Sequence, residues 1–281
     1  MRYRMLGWLS ASILALFVAG CAVPSPGQRI DSADELARLG RFVRLAPEGS
    51  LPTTGFVRAG SESELVVYLE GDGFAFANPY LPSDNPTPIN PLALKLAVAD
   101  SRPRILYIAR PCQFSRQTPP PSPCAVRYWT THRYAEEIVR SVDTVLEAEL
   151  RRRPARGVHL VGYSGGGAVA VLVAARRGDV LSLTTIAGNL DHRLHTSTFN
   201  LQPLAGSLEP REAAPAVARI PQIHYAGSRD PVVPPSIARS FMSALRASPC
   251  ATLEIVDGAT HIEPWVAIWP RLLARRPQCR S

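Results

Sequence analysis

The sequence predicts an α/β fold with a mainly parallel central sheet, helices on both faces and a small cap insertion. Three observations lead there. Short, continuous apolar runs of strand length alternate along the chain with segments of helix length, the order that a parallel sheet with crossover helices requires. The 281 residues, 46% of them hydrophobic, suffice for one large core. Finally, a glycine-bounded turn, Gly162-Tyr163-Ser164-Gly165-Gly166, joins one such run to one such helix.

Taken in order, the chain opens on Arg2 and Arg4 before an apolar run over 5–20 that ends in Val18-Ala19-Gly20-Cys21. That run falls short of the roughly 20 residues needed to cross a bilayer, so residues 1–20 read as a signal peptide. Val18-Ala19-Gly20-Cys21 resembles the lipobox of bacterial lipoproteins. The resemblance implies export to the bacterial cell envelope, with Cys21 as the lipidated first residue of the mature protein and a flexible stretch over 22–28 hanging a soluble domain from the membrane. Ala22, where an aspartate often marks retention at the inner membrane, points to the periplasmic face of the outer membrane. An ordinary secreted protein is the alternative. Residues 21–40 are thus a tether and N-terminal segment, and 41–281 the folded domain.

A short helix is expected over 31–40, and edge strands over 42–45 and 55–58. Residues 64–69 form a stronger strand ending at Glu70-Gly71-Asp72-Gly73. The proline- and asparagine-rich loop over 74–91 is long enough to border a functional site. A helix over 92–99 and a strand over 104–109 follow. Tyr134, Ile138, Val142, Val145, Leu146 and Leu150 recur at intervals of three and four, which predicts a helix over 131–152, capped by Thr130 or Thr131. Strands over 157–161, 180–187, 221–226 and 252–256 alternate with helices over 167–176, 236–247 and 262–275. Residues 189–219 lack strong periodicity and are expected to form the cap.

The central turn has the spacing of a nucleophile elbow, in which residues two before and two after the serine must be small. A serine needs a base oriented by an acid. His261, after the strand over 252–256, and Asp230, after the strand over 221–226, stand in the required order. Asp257 and Asp191 are rivals for the acid. His159 and His224 lie inside strands, His132 at a helix start, and His192 and His195 in the cap. One oxyanion donor is expected from the Gly165 backbone N–H, the other from the backbone of Asp72 or Gly73. Glu70 and Asp72 depart from the histidine-glycine motif of many esterases, and a carboxylate there is unhelpful unless its side chain turns away.

Cys112 with Cys124, and Cys250 with Cys279, are the simplest pairing of the remaining cysteines in an exported protein. No Cys-x-x-Cys accompanies them, so a metal site is not expected. The formal charge of +8 falls to +6 without Arg2 and Arg4, and no basic cluster interleaved with aromatics points to nucleic acid.

Together, the elbow, acid loop and histidine loop resemble the α/β-hydrolase superfamily over about residues 60–276. Leu69 to Gly73, Pro111-Cys112-Gln113, Trp129 to Tyr134 and Asn189 to His192 further resemble stretches in a group of exported bacterial members. The resemblance implies a serine hydrolase, foremost a carboxylic-ester (acyl) hydrolase working through an acyl-enzyme without cofactor on a small-molecule or lipid-like ester. Its partners would be that substrate and a membrane reached through the lipid anchor, with no obligate protein partner. A serine peptidase, an acyltransferase or a non-catalytic envelope binding protein are the alternatives.

Overall fold

The computed structural model describes residues 23–280, so the signal peptide and Cys21 lie outside the described residues. Strands β1 (Val43–Arg44), β2 (Gly55–Arg58), β3 (Glu64–Leu69), β6 (Ile105–Ile108), β7 (Gly157–Tyr163), β8 (Val180–Ile186), β9 (Gln222–Gly227) and β10 (Ala251–Val256) form one sheet. Its order is β1-β2-β6-β3-β7-β8-β9-β10. The β1–β2 and β2–β6 pairs are antiparallel and every other pair is parallel. The short edge strands are thus the antiparallel ones.

The strand period of two divides the core between the faces. Leu65, Val67 and Leu69 of β3 pack with α3 (Glu136–Arg152) and α4 (Gly165–Ala174), whereas Val66 and Tyr68 pack on the other face with α1 (Pro26–Leu39), α2 (Leu92–Ala99) and α8 (Trp265–Leu273). Helix α4 is buried along its whole length, in keeping with a sequence apolar on nearly every face.

Several boundaries differ from expectation for local reasons. Helix α1 begins at Pro26, not at residue 31, because Ser25 and Gln28 form a capping box and Pro26 takes the first position. Ile30, Ala33 and Ala37 of that helix are buried, so residues 26–28 are ordered helix and not part of a flexible tether. The long helix starts at Glu136 after a 3-10 turn over Val126–Trp129, and neither Thr130 nor Thr131 caps it. The intervening residues are drawn away because the Tyr134 N–H bonds to Ser207 Oγ and the Tyr134 hydroxyl turns to Asp72. The 74–91 loop contains a small hairpin, β4 (Phe76–Asn78) with β5 (Leu81–Pro82). The two last helices are shorter than expected, α7 being Pro235–Ala244 and α8 starting at Trp265.

The 189–219 region divides into α5 (His192–Thr198) and α6 (Pro210–Val217). Helix α6 packs against α4 and α7 with Ala214 and Val217 fully buried, so it belongs to the layer flanking the sheet. The expected cap is thereby reduced to α5 and the loop after it.

Candidate active site

Ser164 sits at φ 53°, ψ −122°, a left-handed conformation that a non-glycine residue holds only where its surroundings impose it. The surroundings are tight. A Cβ on Gly162 would stand 2.4 Å from the Gly166 carbonyl oxygen, and one on Gly166 would stand 2.2 Å from the Leu69 carbonyl oxygen. Strand and helix therefore approach closely enough to drive the turn, which lifts the hydroxyl above the end of the sheet. The Ser164 N–H donates to the Ile186 carbonyl, and the Asn189 N–H to that of Ser164, fastening the turn to the end of β8.

Two further loops at the carboxyl ends of strands complete the arrangement. His261 Nε2 lies 3.0 Å from Ser164 Oγ, and its Nδ1 lies 2.8 Å from Asp230 Oδ2. The other Asp230 oxygen accepts the N–H groups of Val232 and Val233 at 2.8 Å each, and its side chain is wholly shielded from solvent. A buried carboxylate needs such partners, and they hold Asp230 aimed at the imidazole. The Tyr163 hydroxyl donates to the His261 carbonyl, and its ring packs 5.3 Å from the imidazole. Of the rival acids, Asp257 accepts from Ser228 Oγ and Asp191 caps α5.

Three of the other histidines are occupied elsewhere. His224 is fully buried between Thr185 Oγ1 and Gln222 Oε1, and burial lowers its pKa to about 3, so it is a neutral core residue. His159 bridges Ser182 and Glu64. His195 on the cap donates from Nε2 to the Val232 carbonyl, beside the acid loop.

Across from the elbow stands the Glu70 to Gly73 turn. The backbone N–H groups of Asp72, Gly73 and Gly165 have no hydrogen-bond partner among the described residues, which leaves all three free to face an oxyanion. The two carboxylates are managed differently. Glu70 turns inward, fully buried, and accepts from the Gly71, Ala93 and Leu94 N–H groups and the Tyr107 hydroxyl. Burial pushes its pKa up to about 7 despite those donors. Asp72 stays beside the Ser164 turn, so close that a Cβ on Gly165 would lie 2.0 Å from Asp72 Oδ1. There Arg110 Nη1 holds Oδ1 at 2.8 Å, while Arg133 Nη1 at 2.9 Å and the Tyr134 hydroxyl at 3.2 Å hold Oδ2. Burial alone would raise the Asp72 pKa, but Arg133 and then Arg110 outweigh it and hold it below the usual range. One carboxylate between two guanidiniums leaves the cluster with a net positive charge.

The sequence model of the FSH1 serine hydrolases matches residues 108–264, more than half of the chain. The chain belongs to the FSH1 serine hydrolase family. It is a hydrolase of the α/β-hydrolase type, and its fold is shared with solved structures of low identity. An esterase from Pyrococcus furiosus superposes with a TM-score of 0.56 at 12% identity, over 84% of this chain and 90% of that one. TT1662 from Thermus thermophilus gives 0.56 at 20% identity, over 83% and 95%. An acylaminoacyl peptidase from Pyrococcus horikoshii gives 0.60 at 12% identity, covering 85% of this chain and 42% of the peptidase. No curated protein matches the sequence.

The matched stretch of this serine hydrolase contains Ser164, Asp230 and His261 but not the Glu70 to Gly73 turn. The residues that sequence reasoning left without a role are those that attach this turn. Gln113 Nε2 donates to the Gly71 carbonyl, Arg110 and Arg133 bind Asp72, and Asn189 Nδ2 reaches the Tyr134 hydroxyl at 3.3 Å. Three of the stretches singled out by resemblance, around Gln113, Tyr134 and Asn189, thus converge on the turn that carries Asp72. No periodicity or spacing announces this, because they are separated by tens of residues and meet only through the fold.

Proposed function

We propose that this serine hydrolase is a carboxylic-ester hydrolase working through Ser164, His261 and Asp230 in the bacterial cell envelope. The observation that carries the reading is the unbroken chain from Ser164 Oγ to His261 Nε2 and from His261 Nδ1 to Asp230 Oδ2. His261 takes the Ser164 proton as Oγ attacks the ester carbonyl, and the backbone N–H groups of Gly165 and of Asp72 or Gly73 receive the oxyanion. The proton then passes to the leaving alcohol, and water attacks the acyl-enzyme by the same route in reverse. Asp230 orients the imidazole and stabilises its charged form.

A fluorophosphonate probe is expected to label the protein at Ser164, with no labelling of Ser164→Ala. Equal labelling of both proteins would remove Ser164 from its role. p-Nitrophenyl esters of increasing chain length, assayed beside peptide amides and with alcohol acceptors present, separate ester hydrolysis from amide hydrolysis and from acyl transfer. Placement in the envelope rests on the signal-like run ending at Cys21. It is supported by the Cys112–Cys124 and Cys250–Cys279 disulfides, which suit an oxidising compartment.

A further inference from the structure

Large apolar side chains stand exposed on several loops of the molecule. Phe76 and Leu81 belong to the β4–β5 hairpin, Tyr80 at its tip is 95% exposed, Phe199 follows α5, and Val232 and Ile262 neighbour Asp230 and His261. They come from separate loops, and contacts tie Phe76, Phe199 and Val232 to residues at the site. The Arg133 guanidinium lies 5.8 Å from the Phe76 ring centre while holding Asp72. On the cap, the His195 ring packs 5.2 Å from that of Phe199, and its Nε2 lies 2.8 Å from the Val232 carbonyl oxygen. Apolar surface gathered in this way around a reactive centre marks a place where something apolar docks.

The point at which the chain enters the domain says what that is. Helix α1 begins at Pro26, and one turn later Arg29 donates to the Thr87 carbonyl and lies 5.1 Å from the Phe74 ring. Phe74 is the root of the hairpin: its carbonyl accepts from Ser83 Oγ and its N–H donates to Pro86. The start of α1 is therefore fastened beside the exposed apolar hairpin. Cys21 precedes Pro26 by five residues, a span of at most about 17 Å when fully extended. An acyl anchor on Cys21 would hold the start of α1 within that reach of the bilayer.

We propose that the collar of Phe76, Tyr80, Leu81, Phe199, Val232 and Ile262 docks on the lipid surface to which Cys21 is tethered, and that the substrate is an ester with an extended apolar chain drawn from that surface. This rests on the reading of Ser164 as nucleophile and Cys21 as anchor. A tyrosine at the hairpin tip suits such an interface, its ring apolar and its hydroxyl wet.

The test compares the mature protein with its Tyr80→Ser/Leu81→Ser and Tyr80→Trp variants. On p-nitrophenyl decanoate carried in phosphatidylcholine vesicles, relative to water-soluble p-nitrophenyl acetate, the double variant is expected to lose at least about tenfold. With brominated phosphatidylcholine in the vesicles, Tyr80→Trp is expected to show tryptophan quenching beyond that of the parent. An unchanged ratio together with an unquenched Trp at this position would overturn the proposal. So would self-association of the parent that the double variant abolishes, which would make a second copy the occupant. Absence of acetate hydrolysis and of fluorophosphonate labelling would instead remove the catalytic reading, and the quenching measurement would still judge the docking face.

Discussion

At the scale of residues, the arrangement around Asp72 resolves what the sequence poses as a difficulty. In the proposed mechanism, a lone carboxylate beside the oxyanion would oppose the charge that develops there. Paired with Arg110 and Arg133, it becomes part of a net positive group that favours that charge. Arg133→Gln is therefore expected to lower kcat by on the order of 10- to 100-fold with a smaller change in KM. Adding Asp72→Asn to that variant restores the net positive charge and should recover a large part of the loss. A double variant as poor as the product of the two single losses would show instead that the cluster serves only to hold the turn. At the same scale, His224 is no competitor for the base, because its own core partners enclose it.

Among the elements, α2 shows how one residue serves both packing and the site. Its N-cap position is Pro91, which offers no side-chain acceptor, and the exposed N–H groups of a buried helix end must be met from elsewhere. Glu70, distant in sequence, meets those of Ala93 and Leu94 while also bonding Gly71. The carboxyl thus fastens the Glu70 to Gly73 turn to the start of α2. Its pKa, raised to about 7 by burial, means that the folded state holds the proton more tightly than the unfolded chain does. The stability this contributes is complete below the ordinary carboxylate range and is lost as pH rises through about 7. Glu70→Gln should remove that component, so thermal midpoints at pH 5 and pH 8 are expected to differ less in the variant than in the parent. Equal differences would mean that Glu70 ionises at no cost on folding. Strand positions were legible element by element because their apolar runs are continuous. The boundaries of α1 and α3 were not, because a local capping box extends the first, while Tyr134 is drawn from the second by contacts to Ser207 and Asp72.

For the whole molecule, the loops at the carboxyl ends of β3, β7, β9 and β10 bring the Glu70 to Gly73 turn, Ser164, Asp230 and His261 to one end of the sheet. The Cys112–Cys124 bridge closes the loop that carries Gln113, and Cys250–Cys279 ties the chain after α8 to the start of β10. If the chain is exported and acylated, mass spectrometry of the membrane fraction should find an N-terminus beginning at lipid-modified Cys21, with both disulfides closed. Recovery of the protein in the cytoplasm with its first 20 residues retained would overturn the envelope reading.

What the sequence determined by itself is whatever depends on local order: strand after helix, a serine between two glycines at a strand-to-helix turn, an acid loop and a histidine loop following in turn. Each of these is written in contiguous residues, and the order of a parallel sheet carries them to the same end. Only the tertiary structure decided how Asp72 is neutralised, which residue caps α2, that α6 is a layer helix, and that the start of α1 lies beside the apolar hairpin. Those facts are contacts between segments tens of residues apart, made specific by burial and charge pairing that no short stretch of sequence encodes.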